Sequence, residues 1–238
     1  MKVLLISPER KRKKEEAFLF RLSFLNLPYL AAVTPHDVEV KIVDEAFEEI
    51  NFEEKVDLVG VTAQTPVAPR AYQIAKEFKK RGIPVVMGGV HASMLPQEAL
   101  QHVDTVVVGE AEEVWPEVIE DLRRDQMRRI YVGSEFVNPS HLPLPRRDLL
   151  NKKFYFPLKL LETTRGCPHQ CDFCGVSKFF GFRYRHRPIS EIERELNTFF
   201  QKPFCSYWIQ LLKRRSNIFS TFYILTMYSE RSVYCLYP

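Results

Sequence analysis

The chain has 238 residues, of which 45% are hydrophobic and 27% charged, a balance typical of a globular protein with one large domain or two small ones. Its 34 Lys and Arg residues exceed its 30 Asp and Glu residues by only four, which does not indicate a nucleic-acid partner without a clustered basic face. No apolar run reaches the roughly 18 residues that cross a bilayer, so the sequence predicts a cytoplasmic protein without a membrane span.

Short apolar runs alternate with helical patterns over the first 125 residues. The runs, which we interpret as five strands, fall at residues 3–6, 38–44, 58–61, 84–87 and 105–108. Helical spacing is found at residues 28–33, 69–78 and 114–122, and Gly82 is expected to end the second of these helices. This alternation predicts a Rossmann-like, doubly wound parallel sheet that binds ligands beyond the carboxyl ends of its strands.

Glycine-containing turns follow the predicted strands where that ligand crevice would lie. Gly88-Gly89-Val90-His91 follows the fourth strand and Gly109-Glu110 follows the fifth. Glycine has no side chain, so a flat ligand could lie against the backbone there. His91 is as readily a turn residue bonded to the backbone as it is a ligand. The basic run at residues 10–14 is flanked by Glu residues, and we interpret it as a solvated loop.

Three cysteines dominate the second half of the chain. A Pro-rich segment, Asn138 to Pro145, leads to a predicted buried strand at Leu158 to Thr164, and Arg165-Gly166 then turns the chain. The next residues carry thiols in Cys-x3-Cys-x2-Cys spacing, at Cys167, Cys171 and Cys174. Three close thiolates can each bind one iron of a 4Fe-4S cluster and leave the fourth iron open. Their place after a strand matches the face on which α/β barrels carry their chemistry.

A zinc site and a disulfide are the two alternatives to a cluster at these thiols. A structural zinc site could combine the three Cys with His169 or His186, although zinc sites usually contain a second, distant Cys pair. A disulfide is disfavoured because the chain has five Cys, an odd number, and no signal peptide.

A helix and an unusual tail follow the thiols. Ser190-Glu191-Ile192-Glu193 has the pattern of a capping box, with Ile192, Leu196 and Phe199 at helical spacing. From Phe204 to Pro238 the chain is rich in aromatic residues and shows no periodicity. The simplest explanation is the anomalous end of a truncated or out-of-frame protein, and the alternative is a divergent, aromatic-rich partner surface. We expect residues 204–238 to be disordered or to promote aggregation.

The cysteine segment resembles the radical S-adenosylmethionine (SAM) superfamily, down to the aromatic Phe173 before the last Cys. The resemblance implies that the three Cys hold a 4Fe-4S cluster, that SAM chelates the open iron, and that Phe173 contacts SAM. Electron transfer would then cleave SAM to a 5′-deoxyadenosyl radical. Arg183, Arg185, His186 and Arg187 could meet the SAM carboxylate, or could belong to a solvated turn.

Residues 1–150 are similar to the cobalamin-binding domain that precedes the radical SAM domain in one large subclass. The matching turns imply cobalamin contacts at Thr62, Gln64, Thr65, Gly88, Gly89, His91, Gly109 and Glu110. The best-known motif of that family, Asp-x-His-x-x-Gly after the first strand, is replaced by Ser7-Pro8-Glu9-Arg10-Lys11. The change removes the lower-axial His without excluding cobalamin.

These observations predict a cobalamin-binding radical SAM enzyme fragment that acts on a small molecule with the help of a reductant, by methyl transfer or cyclisation. The expected organisation is a cobalamin-binding domain at 1–135, a linker at 136–157, the first βα unit of an incomplete (β/α) barrel at 158–203 and the tail. The alternatives are an inactive corrinoid-binding fragment and a small zinc-stabilised α/β protein. Whether the chain itself is catalytic stays open.

Overall fold

A computed structural model describes residues 1–9, 22–134, 136–155 and 158–199, together with the backbone of 223–227 and 233–236. The chain divides into two compact units. The first contains Met1–Val137 and Pro145–Phe154, and the second contains Asn138–Leu144 and Tyr155–Pro238. The basic run at residues 10–14 lies outside the described residues.

The first unit is built on a parallel sheet, as the sequence predicts. Its strands are β1 (Lys2–Ser7), β2 (Glu39–Asp44), β3 (Leu58–Thr62), β4 (Val85–Gly88), β5 (Thr105–Val108) and β6 (Ile130–Val132). They lie in the order β2-β1-β3-β4-β5-β6, and every neighbouring pair is parallel. The order reverses direction between β1 and β3, and doubly wound sheets bind ligands beyond the strand ends at such a point.

Helices cover the sheet and bury its central strands. They are α1 (Asn26–Val33), α2 (Ala68–Lys79), α3 (Val90–Met94), α4 (Pro96–Ala99) and α5 (Trp115–Arg123). In α2, Ala71, Ile74, Ala75 and Phe78 are fully buried at helical spacing and pack with residues of β3 and β4 in one apolar cluster. The continuous apolar run of β1 is buried throughout, which is typical of a strand covered on both faces.

The structure corrects the sequence-based description of this unit at two places. Five strands were expected, but a sixth, β6, pairs with β5 at the edge of the sheet. It has only three residues, Ile-Tyr-Val, a run too short to be recognised as a strand from its pattern. The segment after Gly89 was expected to be a turn, but it forms the short helices α3 and α4, with Pro96 in the first turn of α4.

The second unit contains mostly short elements. They are β7 (Leu158–Glu162), β8 (Thr164–Arg165), α6 (Val176–Phe180), β9 (Arg185–His186), α7 (Ile189–Asn197), β10 (Tyr223–Met227) and β11 (Val233–Leu236). Strands β8 and β9 pair antiparallel, and β7, β10 and β11 form an antiparallel sheet in the order β11-β10-β7. The longest described helix in the chain, α2, has 12 residues, so no described helix could cross a membrane.

Two expectations for the second unit are wrong. The tail was expected to be disordered or to promote aggregation, yet its backbone forms the strands β10 and β11; its remaining residues lie outside the described ranges. The capping box is also wrong, because α7 begins at Ile189 and Ser190 lies inside its first turn. The Pro188 carbonyl accepts hydrogen bonds from the amides of Glu191 and Ile192 instead.

Candidate cofactor-binding sites

The first candidate site lies at the carboxyl ends of β3, β4 and β5, along one side of the parallel sheet. The turns after β3 and β4 are bonded to each other: the Ala63 amide donates to Gly88 O at 3.2 Å, and the His91 amide donates to Ala63 O at 3.1 Å. Gly89 has φ +92° and ψ −177°, a conformation nearly restricted to glycine. A Cβ there would lie 2.8 Å from Thr62 Oγ1, so the close approach of the two turns requires glycine.

Ser93 joins the next two strand ends, and sequence reasoning did not identify it. Its hydroxyl donates to Gly89 O and accepts from the Gly109 amide, each at 2.9 Å. Gly109 has φ +83°, and no described atom lies within 4 Å of the position of its missing Cβ. The three strand ends therefore form a connected edge, the glycine edge, that comprises residues 62–65, 88–93 and 109–110. Its bare backbone at Gly109 leaves room for a flat ligand.

The predicted cobalamin contacts differ in exposure along this edge. Gln64 and Thr65 are exposed, and Thr62 is partly buried and accepts a hydrogen bond from Asn26 Nδ2 at 3.3 Å. Glu110 is buried, and its backbone packs against Gly133, where a Cβ would lie only 2.1 Å from Glu110 O. Direct ligand contact is therefore open to the side chains of the β3 turn, whereas Glu110 belongs to the support beneath the edge.

His91 lies inside the protein and is 3% exposed. Its Nε2 is 2.7 Å from the Tyr72 hydroxyl, and its Nδ1 is 3.4 Å from Thr65 Oγ1. The Tyr72 hydroxyl donates to Glu98 Oε1 at 3.0 Å, and that oxygen lies 3.5 Å from His91 Nε2. Burial, and then Glu98, raise the pKa of Tyr72 to about 12. Both nitrogens of His91 are thus engaged by protein groups.

The second candidate site is the segment that carries the three thiols. Residues 167–180, which we call the cluster loop, leave the end of β8 and return before β9. At its base the Cys167 amide donates to Gly181 O at 3.1 Å. Gly166 has φ +84°, and a Cβ there would lie 2.1 Å from Arg183 O and 2.9 Å from Phe180 O. The loop is therefore closed by backbone packing that only glycine permits.

The cluster loop presents its donor groups at the surface. Cys171 is exposed, Cys167 and Cys174 are partly buried, and all three thiols are free. The Cys174 amide donates to Cys171 O at 3.0 Å, which forms a tight turn between these two residues. Phe173 is 93% exposed, and His169 and His186 are also exposed. Three free thiols on one closed loop can each bind one iron of a 4Fe-4S cluster, which leaves the fourth iron without a thiolate from this loop.

The three thiols are not arranged like the ligands of a single metal ion. Within the described ranges, no three side chains of His, Cys, Asp or Glu are close enough to hold a single metal ion. Cluster thiolates bind different irons, so they are spaced more widely than the ligands of one ion. The structure therefore offers no preformed zinc site at these thiols, and the donor set fits a cluster.

Two of the arginines that follow the loop are not part of a solvated turn. Arg185 and Arg187 are buried, whereas Arg183 and His186 are exposed. Arg185 Nη2 donates to Phe180 O at 2.9 Å, and Arg187 Nη1 donates to Glu162 O at 3.0 Å. Their alternation follows the two-residue period of a strand, which is hard to recognise in a two-residue element.

Comparison with known proteins identifies the family of the domain that contains the first site. Residues 23–119 match the family model described as the B12 binding domain, and this range spans the turns of the glycine edge. The fold and the match together define a protein with a B12-binding domain. The resemblance of the first half to a cobalamin-binding domain is thereby confirmed.

Proteins similar to this chain match it beyond the B12-binding domain. The chain is 36% identical over 171 residues to bacteriochlorophyllide d C-8(2)-methyltransferase of Chlorobaculum tepidum, an alignment covering 69% of this chain and 38% of the relative. It is 29% identical over 229 residues to an uncharacterized methyltransferase of Pyrococcus horikoshii, covering 83% and 50%. The radical SAM methyltransferase TsrM from Kitasatospora setae has a similar fold, with a TM-score of 0.60, 19% identity and coverage of 83% of this chain and 45% of that one.

The chain therefore contains a B12-binding domain, is a homologue of methyltransferases and has a fold similar to that of a radical SAM methyltransferase, in agreement with the two sequence resemblances. It spans between about a third and a half of the length of the two curated relatives above. The expected truncation stays a prediction.

Proposed function

We propose that this chain binds cobalamin at the glycine edge and a 4Fe-4S cluster on the cluster loop, and serves a radical SAM methyl transfer to a small organic molecule. When bound, the cluster would supply the electron that cleaves SAM, and cobalamin would carry the methyl group. The observation that carries the proposal is a closed loop with three free thiols in a chain that also contains a B12-binding domain.

The cluster loop provides the thiolates and part of the SAM site. Cys167, Cys171 and Cys174 would each bind one iron. Phe173 is almost fully exposed beside Cys174, so its ring is free to pack against SAM. The backbone closure at Gly166 and Gly181 keeps the first thiol at the end of β8, and the reductant reaches the exposed side of the loop.

The glycine edge provides a surface for cobalamin without a ligand for cobalt. Thr62, Gln64 and Thr65 would contact the cofactor through polar groups, and Gly88, Gly89 and Gly109 through their backbone. His91 and Glu110 would act from the interior, since both are buried beneath the turns that they support. Support for this division comes from His91, whose two ring nitrogens already contact Tyr72 and Thr65.

The experiment is anaerobic reconstitution with iron and sulfide, followed by electron paramagnetic resonance (EPR) of the reduced protein with and without SAM. If an open iron binds SAM through its amino and carboxylate groups, the spectrum changes on addition of SAM and not on addition of 5′-methylthioadenosine, which lacks both groups, at matched concentration. Cobalamin binding without a SAM-dependent change would favour the corrinoid-binding alternative. Retention of one zinc per chain, with no iron uptake, would favour the zinc-stabilised alternative.

A further inference from the structure

Four charged side chains are buried together at the base of the cluster loop. They are Glu162 at the end of β7, Arg165 in β8, Arg187 after β9 and Glu195 in α7, and each is almost inaccessible to solvent. Arg165 pairs with Glu162, and Arg187 Nη1 lies 2.5 Å from Glu195 Oε2. In each of the two pairs a positive charge meets a negative one, and pairing is the condition under which buried charges are tolerated.

Arg187 connects three segments of chain. Its backbone amide donates to Thr163 O at 2.9 Å, and its Nη1 donates both to Glu162 O at 3.0 Å and to the Glu195 carboxylate. The two carbonyls belong to the residues that lead from β7 into β8, four and five positions before Cys167. Arg187 thus attaches the strand that carries the first thiol to helix α7.

The three thiols differ in how they are held. Cys167 lies two residues after the last residue of β8, and its amide is bonded across the base of the loop to Gly181 O. Cys171 and Cys174 lie in the outer part of the loop, where the described bond between them is the local turn from Cys174 N to Cys171 O. The base is therefore determined by buried long-range contacts and the outer part by local ones.

We propose that Arg187 and Glu195 are positioning residues for the cluster loop: their buried ion pair fixes Cys167 before any metal is bound and leaves Cys171 and Cys174 to adjust around it. This inference rests on the proposed function, because the loop is assumed to hold the cluster. A buried pair suits the task because breaking it leaves an uncompensated charge, so the strand has few alternative positions.

The test compares backbone protection in the metal-free protein labelled with 15N only at cysteine. In Arg187→Met/Glu195→Met both charges are removed together, so folding is retained. We expect hydrogen exchange at the Cys167 amide to accelerate about tenfold, with exchange at the Cys174 amide unchanged. The matched control is Arg194→Met, which removes an exposed arginine of α7 that pairs with Glu191 at 2.5 Å, and it should change neither amide. Unchanged exchange at Cys167, or equal acceleration at both amides, overturns the proposal.

A second variant and a second measurement also test whether the ion pair positions Cys167. Arg187→Lys keeps the charge but not the planar guanidinium that reaches Glu195 and Glu162 O at once, and it should give a smaller acceleration at Cys167 alone. After reconstitution, the EPR spectrum of the reduced double variant should differ from that of the unsubstituted protein, and an identical spectrum contradicts positioning. If the unsubstituted protein takes up no cluster, the proposed function fails, while the exchange result still decides whether the pair fixes Cys167.

Discussion

The amide of Cys167 donates a hydrogen bond to the carbonyl of Gly181 across 14 positions of sequence, at 3.1 Å. This bond closes the cluster loop at its base, beside the antiparallel pair of β8 and β9. Gly181 adopts φ +86° and ψ 160°, a conformation that other residues rarely reach, so its carbonyl direction depends on glycine. The backbone that carries the first thiol is thereby held by a hydrogen bond between residues distant in the sequence.

Gly166→Ala tests this closure directly. The substitution introduces a Cβ 2.1 Å from Arg183 O at a residue with φ +84°, so we expect it to lower the free energy of unfolding by about 3 kcal/mol. Gly175→Ala, in the same loop, meets no described atom within 4 Å and should change stability by less than about 0.5 kcal/mol. Urea denaturation measures both. Equal stability of the two variants would show that the closure is not required.

Gly89→Ala tests the close approach of the turns at the glycine edge. The new Cβ would lie 2.8 Å from Thr62 Oγ1 and 3.0 Å from Ala63 O, and the backbone conformation is unfavourable for alanine, so we expect a loss of about 3 kcal/mol. Gly82→Ala is the control, because Gly82 also has positive φ but open space around it, and it should cost about 1 kcal/mol. A loss at Gly89 no larger than at Gly82 would mean that the turns can separate without penalty.

Much of the first unit could be predicted from the sequence because its strands are continuous runs of Val, Ile and Leu, such as Val3 to Ile6. Strand β6 could not, since its apolar run of three residues is too short to show the period of a strand. The side chains that contact His91 could not be predicted either. Tyr72 precedes His91 by 19 residues, and only the packing of α2 beside α3 brings the two rings together.

In the second unit the candidate metal-binding residues could be predicted from the sequence, but the buried contacts around them could not. The thiol spacing identified Cys167, Cys171 and Cys174, but nothing in the local pattern distinguished the buried Arg187 from the exposed Arg183. Burial of Arg187 depends on Glu195, which lies eight residues later on α7. Long-range partners of this kind cannot be derived from periodicity.

Cobalt should have no histidine ligand from this chain. His91 is buried and both of its ring nitrogens contact protein groups, and the position of the usual lower-axial His is occupied by other residues. EPR of the bound Co(II) form should therefore show no hyperfine coupling to a histidine nitrogen, and labelling with 15N-histidine should leave the spectrum unchanged. Coupling that disappears in His91→Ala would contradict this assignment.

Tyr72 should make stability depend on pH in the alkaline range. Burial and the neighbouring Glu98 raise its pKa from 10 to about 12, so the neutral hydroxyl is favoured in the folded state. The corresponding stability is fully present below pH 10 and is lost as the pH rises toward 12. Urea denaturation over this interval should show a steeper decline for the unsubstituted protein than for Tyr72→Phe. Parallel declines would contradict the raised pKa.

The central claim is that three thiols of the cluster loop hold an iron–sulfur cluster, and iron content after anaerobic reconstitution measures it most directly. The unsubstituted protein should bind about four irons per chain with the absorbance of a 4Fe-4S cluster. Replacement of Cys167, Cys171 and Cys174 by Ala should abolish both signals, whereas replacement of Cys205 and Cys235 by Ala, the matched control, should leave them unchanged. A full iron complement in the triple variant would contradict the account.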